Sequence, residues 1–259
     1  TGMIPMSDKL DLSLIEKVRP LLKNAERILF ITGAGMSADS GLPTYRGIGG
    51  LYDDADTDEG MPIEVAISGD MLRKRPEITW KYLLQIGHAC SDASYNDGHK
   101  VIADIEQSKP NSWILTQNID GFHRQAGNNN VIEIHGSLED ILCMSCSYTC
   151  HNSEVDISEL PPRCPVCSGV LRHEVVLYGE QLPSKEINKL QTVFEKGFDL
   201  VFTIGTTSVF PYIAQPVMIA KQLGVPTVEI NPGQSEVSTM VDYRIKSGAA
   251  EALRALWDD

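Results

Sequence analysis

The stretch "RILFITGAGMSADSGLPTYRG", residues 27–47, joins an apolar run to a turn of small residues. The run predicts a buried strand, and Gly33, Ala34 and Gly35 predict a tight turn at its carboxyl end. Open α/β sheets bind ligands at that end. Small residues would let the backbone approach a pyrophosphate, and the amides of the next helical turn would face its charge. A tight β-to-α turn without any ligand fits the same residues.

The spacing of the glycines is unlike that of a dehydrogenase. A dinucleotide fingerprint reads G-x-G-x-x-G, with an acidic residue about 20 positions later at the end of the second strand. Here Gly41 follows Gly35 by six positions, where three are expected. Asp53 and Asp54 lie in a Gly- and acid-rich stretch, 47–70, which predicts a loop. Hydride transfer is therefore disfavoured.

Apolar runs alternate with helical patterns along most of the chain. The predicted strands are 27–32, 112–116, 131–134, 199–204 and 225–230, and the predicted helices are 8–23, 76–87, 184–196, 211–223 and 248–257. Nearly continuous apolar strands between helices are typical of a parallel sheet covered on both faces. The sequence predicts an α/β fold, a doubly wound Rossmann-type sheet.

Five of the six cysteines fall within 25 residues, and four of them form two C-x-x-C pairs with 17 residues between the pairs. This spacing predicts a tetrahedral zinc ribbon with the ligands Cys143, Cys146, Cys164 and Cys167. Four thiolates leave no open position, so the metal would be structural. Cys150 and His151 are close enough in sequence to be alternative ligands. Cys90 is expected to be a small buried residue.

The cysteine-rich segment interrupts the strand and helix rhythm. We therefore expect a small module, 137–175, inserted into a larger domain formed by 8–136 and 176–259.

The 259-residue chain carries 35 acidic and 22 basic residues, a formal charge of -13, which disfavours direct nucleic-acid binding. No apolar run approaches the roughly 20 residues that cross a bilayer, so we expect a soluble cytoplasmic protein without membrane contact.

A second group of polar residues follows the predicted strand 112–116. In "LTQNIDGFHRQAG", residues 115–127, we expect Gln117, Asn118 and Asp120 to emerge at the same sheet edge as the glycine turn. Amides and a carboxylate can bind ribose hydroxyls or a carboxamide there. An Asx turn that opens a helix is the alternative interpretation.

A histidine ends the predicted strand 131–134. His135 in "VIEIHGS" could be a general base with a pKa near neutrality. A structural histidine with satisfied hydrogen bonds is the alternative.

Together these motifs resemble the sirtuin family of NAD-dependent protein deacylases. The matching segments are "GAGMSADSGLPTYRG", "TQNID", the "HG" at 135–136, the cysteine pairs, "LYGE" at 177–180, "IGTTS" at 204–208, "EINP" at 229–232 and "VDY" at 241–243. The resemblance implies a Rossmann-type domain that binds NAD, a ribbon with one structural zinc, and an acyl-lysine protein or peptide held as a strand between them.

The resemblance also implies roles for individual residues. The catalytic residues would be His135 and Asn118. NAD would be bound by Gly33, Ala34, Gly35, Ser37, Asp39, Tyr45, Arg46, Gln117, Asn118, Asp120, Gly205, Thr206, Thr207, Asn231 and Tyr243. The substrate would be bound by Val176, Tyr178, Gly179 and Glu180.

The implied reaction consumes NAD. The acyl oxygen attacks C1′ of the ribose as nicotinamide leaves, and His135 accepts a proton through the ribose hydroxyls. Nicotinamide, deacylated lysine and O-acyl-ADP-ribose result. A protein ADP-ribosyltransferase or NAD glycohydrolase would break the same bond. A non-enzymatic NAD-sensing or zinc-ribbon interaction module is a second alternative.

Several positions depart from the family pattern. Tyr45 and Tyr178 stand where the family usually has Phe, each adding a hydroxyl. Pro211 follows Gly205 by six positions, one fewer than in many deacylases.

Leu83 and Ile86 match the positions of the Tyr and Arg that serve succinyl- and malonyl-specific members. An acidic acyl group would lack its ion partner there. We therefore expect a preference for neutral acyl groups such as acetyl.

Overall fold

The computed structural model describes residues 9–42 and 56–258. Its strands are β1 (Ile28–Thr32), β2 (Trp113–Thr116), β3 (Val131–Glu133), β4 (Gly136–Cys143), β5 (Thr149–His151), β6 (Leu171–Val175), β7 (Leu200–Ile204), β8 (Thr227–Ile230) and β9 (Tyr243–Ile245). Its helices are α1 (Leu12–Asn24), α2 (Ala34–Ser37), α3 (Ile63–Ala66), α4 (Gly69–Lys74), α5 (Pro76–Ser91), α6 (Asp97–Ser108), α7 (Phe122–Gln125), α8 (Ser184–Glu195), α9 (Pro211–Gln222) and α10 (Ala249–Trp257).

Six strands form one parallel sheet in the order β3-β2-β1-β7-β8-β9. Side chains of β1 alternate between two cores: Ile28 and Phe30 pack with α1, α6 and α10, whereas Leu29 and Ile31 pack with α8 and α9. Helices therefore cover both faces, and the predicted doubly wound fold is confirmed. The strand order reverses between β1 and β7, where such sheets bind ligands.

Three strands form a second, antiparallel sheet in the order β5-β4-β6. The chain enters it directly from β3 through Gly136, whose φ is +81°. A Cβ at Gly136 would lie 1.9 Å from the Glu174 carbonyl oxygen, so only glycine fits this crossing. Trp80 of α5 inserts beside the sheet, packing with Cys143 and Cys164 and donating its indole N–H to Leu171 O at 2.7 Å.

The five predicted strands and five predicted helices are present within a few residues of their expected bounds. The sequence reasoning missed α6, β9, α3 and α4. Helix α6 begins with a capping box in which His99 Nδ1 replaces the usual Glu or Gln, so its start signal was atypical.

The prediction of a loop over 47–70 is wrong for its later part. Pro62 precedes α3, and the Ser68 side chain accepts the Met71 N–H at the start of α4. Helices of four and six residues are too short to show a helical period. Residues 47–55 lie outside the described residues. No helix among the described residues combines the length and apolar character of a membrane span.

Candidate active site

The glycine turn after β1 packs directly on the turn after β7. A Cβ at Gly33 would lie 2.7 Å from Thr206 Cβ, and one at Gly35 would lie 2.6 Å from Gly205 Cα. The Gly33 N–H donates to Ile204 O at 3.0 Å, and the Gly35 N–H donates to Gly205 O at 2.8 Å. The N–H groups of Gly33 and Gly35 are thus bound by carbonyl groups at the end of β7 and in the turn after it. The predicted contact of this turn with a pyrophosphate stays a prediction.

Polar residues after β2 reach the same edge of the sheet, as predicted. Gln117 Nε2 donates to Thr206 Oγ1 at 2.7 Å, and Asn118 Nδ2 donates to Gly33 O at 2.8 Å. These bonds tie the β2 end to both glycine-containing turns. The strand-end rule thus located the cluster correctly.

Asp120 performs the Asx-turn role that was the alternative interpretation. Its Oδ1 accepts the Phe122 N–H at 3.0 Å at the start of α7, while its Oδ2 accepts the Ser37 hydroxyl at 2.6 Å. Burial raises the pKa of Asp120, although both hydrogen bonds oppose the rise. The carboxylate is oriented by protein groups at the cleft wall.

His135 has hydrogen-bond partners at both ring nitrogens. Nδ1 lies 3.1 Å from Gln117 O, and Nε2 lies 2.6 Å from the Tyr212 hydroxyl. Burial lowers the pKa of His135, and the bond to the Gln117 carbonyl opposes this in part. The ring is therefore neutral near pH 7, the form that can accept a proton.

A cleft of about 510 Å³ collects the central predicted residues. Those that line it are Ala34, Ser37, Gln117, Asn118, Asp120, His135, Val176, Tyr178, Gly179 and Glu180. Leu83 and Ile86 of α5 form part of its apolar wall, and no described residue that lines it is a Lys or Arg. The described part of the cleft thus combines an apolar wall with two amides, two carboxyl groups and a histidine.

The segment after β6 lies along this cleft. The Val176 N–H donates to His135 O at 2.8 Å, and Tyr178 pairs with Ser68 in a parallel bridge. Glu180 is held by both nitrogens of Arg172 at 2.8 and 2.7 Å. Burial would raise the pKa of Glu180, but the bonds from Arg172 and the Leu177 N–H outweigh it and lower the pKa. Its carboxylate therefore accepts hydrogen bonds from within the protein that stabilise this segment.

Gly205, Thr206 and Thr207 form the turn after β7, and Asn231 follows β8 beside it. Tyr243 is the first residue of β9 and pairs with Val228, two residues before the carboxyl ends of these strands. Asn231 Nδ2 donates to Thr206 O at 3.0 Å, Thr207 is exposed, and Tyr243 lies on the edge strand β9. Asp39 instead accepts the Ala250 N–H at 3.0 Å in the first turn of α10. Tyr45 and Arg46 lie outside the described residues.

Four thiols form the predicted cluster. The sulfurs of Cys143, Cys146, Cys164 and Cys167 all lie within 4.8 Å of one another. The pairs Cys143–Cys167 and Cys146–Cys164 are 3.5 and 3.7 Å apart, close to the spacing of about 3.8 Å that tetrahedral Zn–S bonds of 2.3 Å require.

Amides also favour metal-bound thiolates at this cluster. The N–H groups of Ser145, Val166 and Gly169 point at three of the sulfurs at 3.3–3.4 Å. Cys150 and His151 lie on β5 and are not in the four-sulfur group. The donor set therefore fits one structural zinc.

Several cleft residues were not predicted as site residues, among them Tyr212 and Phe210, and the prediction that Cys90 is simply a small buried residue is wrong. Tyr212 touches His135, and Cys90 is only partly buried because it faces the cleft near the end of α5. Only the short spacing from Gly205 to Pro211 signalled that the loop before Tyr212 was unusual.

The sequence matches the Sir2 family over residues 33–211. It is 50% identical to an NAD-dependent protein deacylase 2 of Pseudomonas aeruginosa over 244 residues, covering 93% of this chain and 95% of the relative. It is 32% identical to an NAD-dependent protein deacylase of Pyrococcus furiosus over 251 residues, covering 95% and 98%.

A solved complex of a Sir2 homologue with NAD superposes with a TM-score of 0.83 at 31% identity, covering 93% of this chain and 91% of that one. The similarity spans both sheets and the site between them. The chain belongs to the Sir2 family, the sirtuins.

Proposed function

We propose that this protein is an NAD-dependent protein lysine deacylase that converts acyl-lysine, NAD and water to nicotinamide, deacylated lysine and O-acyl-ADP-ribose. The main support for this proposal is that His135, Asn118 and Asp120 line one cleft beside the glycine turn. Membership of the Sir2 family and 50% identity to a protein named as an NAD-dependent deacylase support the proposal.

The described cleft residues include no activated nucleophile. Burial raises the pKa of Cys90 to about 12, with the charge of Asp120 adding to the rise, so the thiol stays protonated near pH 7. This favours attack by the substrate's own acyl oxygen over a covalent protein intermediate.

In this proposal the protein orients groups and holds protons. NAD, when bound, supplies the ribose carbon at which acyl oxygen replaces nicotinamide. Neutral His135 offers Nε2 as acceptor for a hydroxyl proton. Asn118 orients the reacting groups. The remaining NAD contacts are those that the resemblance implies, with Tyr45 and Arg46 supported by sequence alone.

We further propose an acyl-lysine peptide as partner, lying along Val176 and Tyr178 at the cleft. Extended peptides bind such segments by backbone pairing.

The zinc module would span 137–175, between the two parts of the NAD-binding domain. Clustered metal-binding thiols are typical of a reducing compartment, which supports a cytoplasmic location. The charge of -13 disfavours nucleic acid as a partner.

The test incubates an acetyl-lysine peptide with NAD and measures both nicotinamide and deacetylated peptide. His135→Ala should lower kcat at least about 100-fold, the usual contribution of a general base. His88→Ala, an exposed histidine of α5 outside the cleft lining, is the matched control and should keep wild-type activity. Nicotinamide release without peptide, and without deacetylation, would instead indicate an NAD glycohydrolase.

A further inference from the structure

Tyr212 lies against the ring atom of His135 that the proposed reaction needs. Its hydroxyl is 2.6 Å from Nε2. The loop that delivers it is short: Ser208 adopts a φ of +57°, and α9 begins at Pro211, so Tyr212 is the second residue of the helix. The one-residue-shorter spacing after Gly205 therefore coincides with a phenol beside the base.

The partner of Nδ1 fixes the direction of this hydrogen bond. Nδ1 lies 3.1 Å from Gln117 O, and a carbonyl oxygen can only accept. Nδ1 therefore carries the proton of the neutral ring, and Nε2 presents its lone pair. The Tyr212 hydroxyl must donate to that lone pair.

Aromatic packing holds the contact in place. The Phe210 and Tyr212 rings stack with centroids 5.3 Å apart, and the His135 ring meets both nearly edge-on, at 84° and 85°. Burial raises the pKa of Tyr212, so its hydroxyl keeps its proton near pH 7. The other titratable groups on the described cleft wall are Cys90, Asp120, Tyr178 and Glu180.

We propose that Tyr212 is a positioning residue that occupies Nε2 of His135 in the ligand-free protein and must leave before a substrate hydroxyl can bind there. An imidazole nitrogen has one lone pair, so one strong donor excludes a second. Tyr212 thus competes with the ribose hydroxyl and keeps His135 neutral and oriented until NAD arrives. This inference rests on the proposed role of His135 as general base.

The first test measures the His135 pKa by NMR in the protein without ligand, with His135→Ala assigning the signal. A donor to the neutral ring favours the neutral form, so Tyr212→Phe should raise the pKa by about half a unit to one unit. Tyr95→Phe removes a hydroxyl outside the cleft lining and should leave it unchanged. An unchanged pKa in Tyr212→Phe would overturn the inference.

The second test is calorimetric binding of NAD together with steady-state kinetics. With the competing hydroxyl removed, Tyr212→Phe should bind NAD roughly 3- to 10-fold more tightly. A fall in kcat with unaltered affinity would overturn the inference, because the hydroxyl would then serve the proton transfer. The NMR result depends only on the hydrogen bond between Tyr212 and His135 and not on the reaction. Failure of this inference can therefore be distinguished from failure of the deacylase proposal.

Discussion

The close approach of two turns requires glycine at position 35. A Cβ there would lie 2.6 Å from Gly205 Cα and 3.0 Å from Gly205 O, which are backbone atoms that no rotamer change can move. The Gly35 N–H to Gly205 O bond fixes the same distance. The turns therefore hold each other, and with them Asn118, which donates to Gly33 O.

Gly35→Ala should lower the free energy of unfolding by about 1–3 kcal/mol, as overpacking does, and should weaken NAD binding because the two turns must separate. Urea unfolding and calorimetric NAD titration would measure the two effects. Gly87→Ala is the matched control: it lies in α5 with nothing within 4 Å of an added Cβ. It should be neutral or stabilising by up to about 1 kcal/mol. Equal stability of the two variants would contradict the steric explanation.

Helix α5 contributes an apolar wall of the cleft, where we expect the acyl group to bind. Leu83 and Ile86 are buried and line it, and no described lining residue is cationic. A carboxylated acyl group would lose its hydration there without gaining an ion partner. The wild-type protein should therefore have a higher kcat/KM for an acetyl peptide than for its succinyl counterpart.

Ile86→Arg should shift that preference toward succinyl by roughly 10- to 100-fold, the usual range for a charged hydrogen bond. Val65→Arg adds the same charge at an exposed position of α3 outside the cleft lining and should leave the ratio unchanged. Thermal unfolding of both variants would check that they fold. Faster succinyl than acetyl turnover by the wild type would contradict the prediction.

We expect the three-stranded sheet to depend on bound zinc because its own apolar core is small. Trp80 reports on it directly, since it packs against Cys143 and Cys164 and donates to Leu171 O. In a protein with Trp113 and Trp257 replaced by Phe, Cys164→Ser should lose the zinc and shift Trp80 fluorescence to the red. Metal analysis should find about one zinc per chain in the parent protein.

Cys150→Ser is the control for that experiment. Cys150 lies on β5 of the same sheet and outside the four-sulfur group, so this variant should retain one zinc and unshifted fluorescence. Loss of zinc from Cys150→Ser, with retention in Cys164→Ser, would show that the ligand set is wrong.

Sequence patterns located the elements whose signals are local. Buried β-branched runs identified five strands of the large sheet, and the strand-end rule brought Gln117 and Asn118 to the glycine turn. Contacts that depend on loop conformation could not be predicted from the sequence. The contact of Tyr212 with His135 follows a loop in which Ser208 adopts a left-handed backbone conformation. Serine at this position does not predict that conformation, as glycine would.

At the scale of the whole molecule, we expect two buried histidines, His99 and His123, to make the fold sensitive to acid. His99 and His123 are packed with centroids 4.9 Å apart, and His99 Nδ1 accepts the Asn96 N–H that starts α6. His99 Nε2 and His123 Nδ1 have no protein partner among the described residues. Burial lowers the pKa of His99 to about 4 and that of His123 well below its usual value.

These shifts determine the sign of the pH dependence. An unfolded histidine has a pKa near 6.5. Between about pH 6.5 and pH 4, His99 is therefore mostly protonated in the unfolded chain but mostly neutral in the folded protein. The stability contributed by neutral His99 is complete above pH 6.5 and is lost as the pH falls toward 4. Between pH 7 and pH 5 the loss from His99 should be roughly 2 kcal/mol.

His99→Asn isolates this contribution. Asn keeps an acceptor for the Asn96 N–H but does not titrate, so the variant should be less stable at pH 7 yet lose about 2 kcal/mol less on acidification. Urea unfolding of both proteins at pH 7 and pH 5, at equal zinc, would measure the difference. Carboxyl groups and zinc thiolates titrate in both proteins and cancel in the comparison. Identical acid sensitivity would show that His99 is not held neutral by its burial.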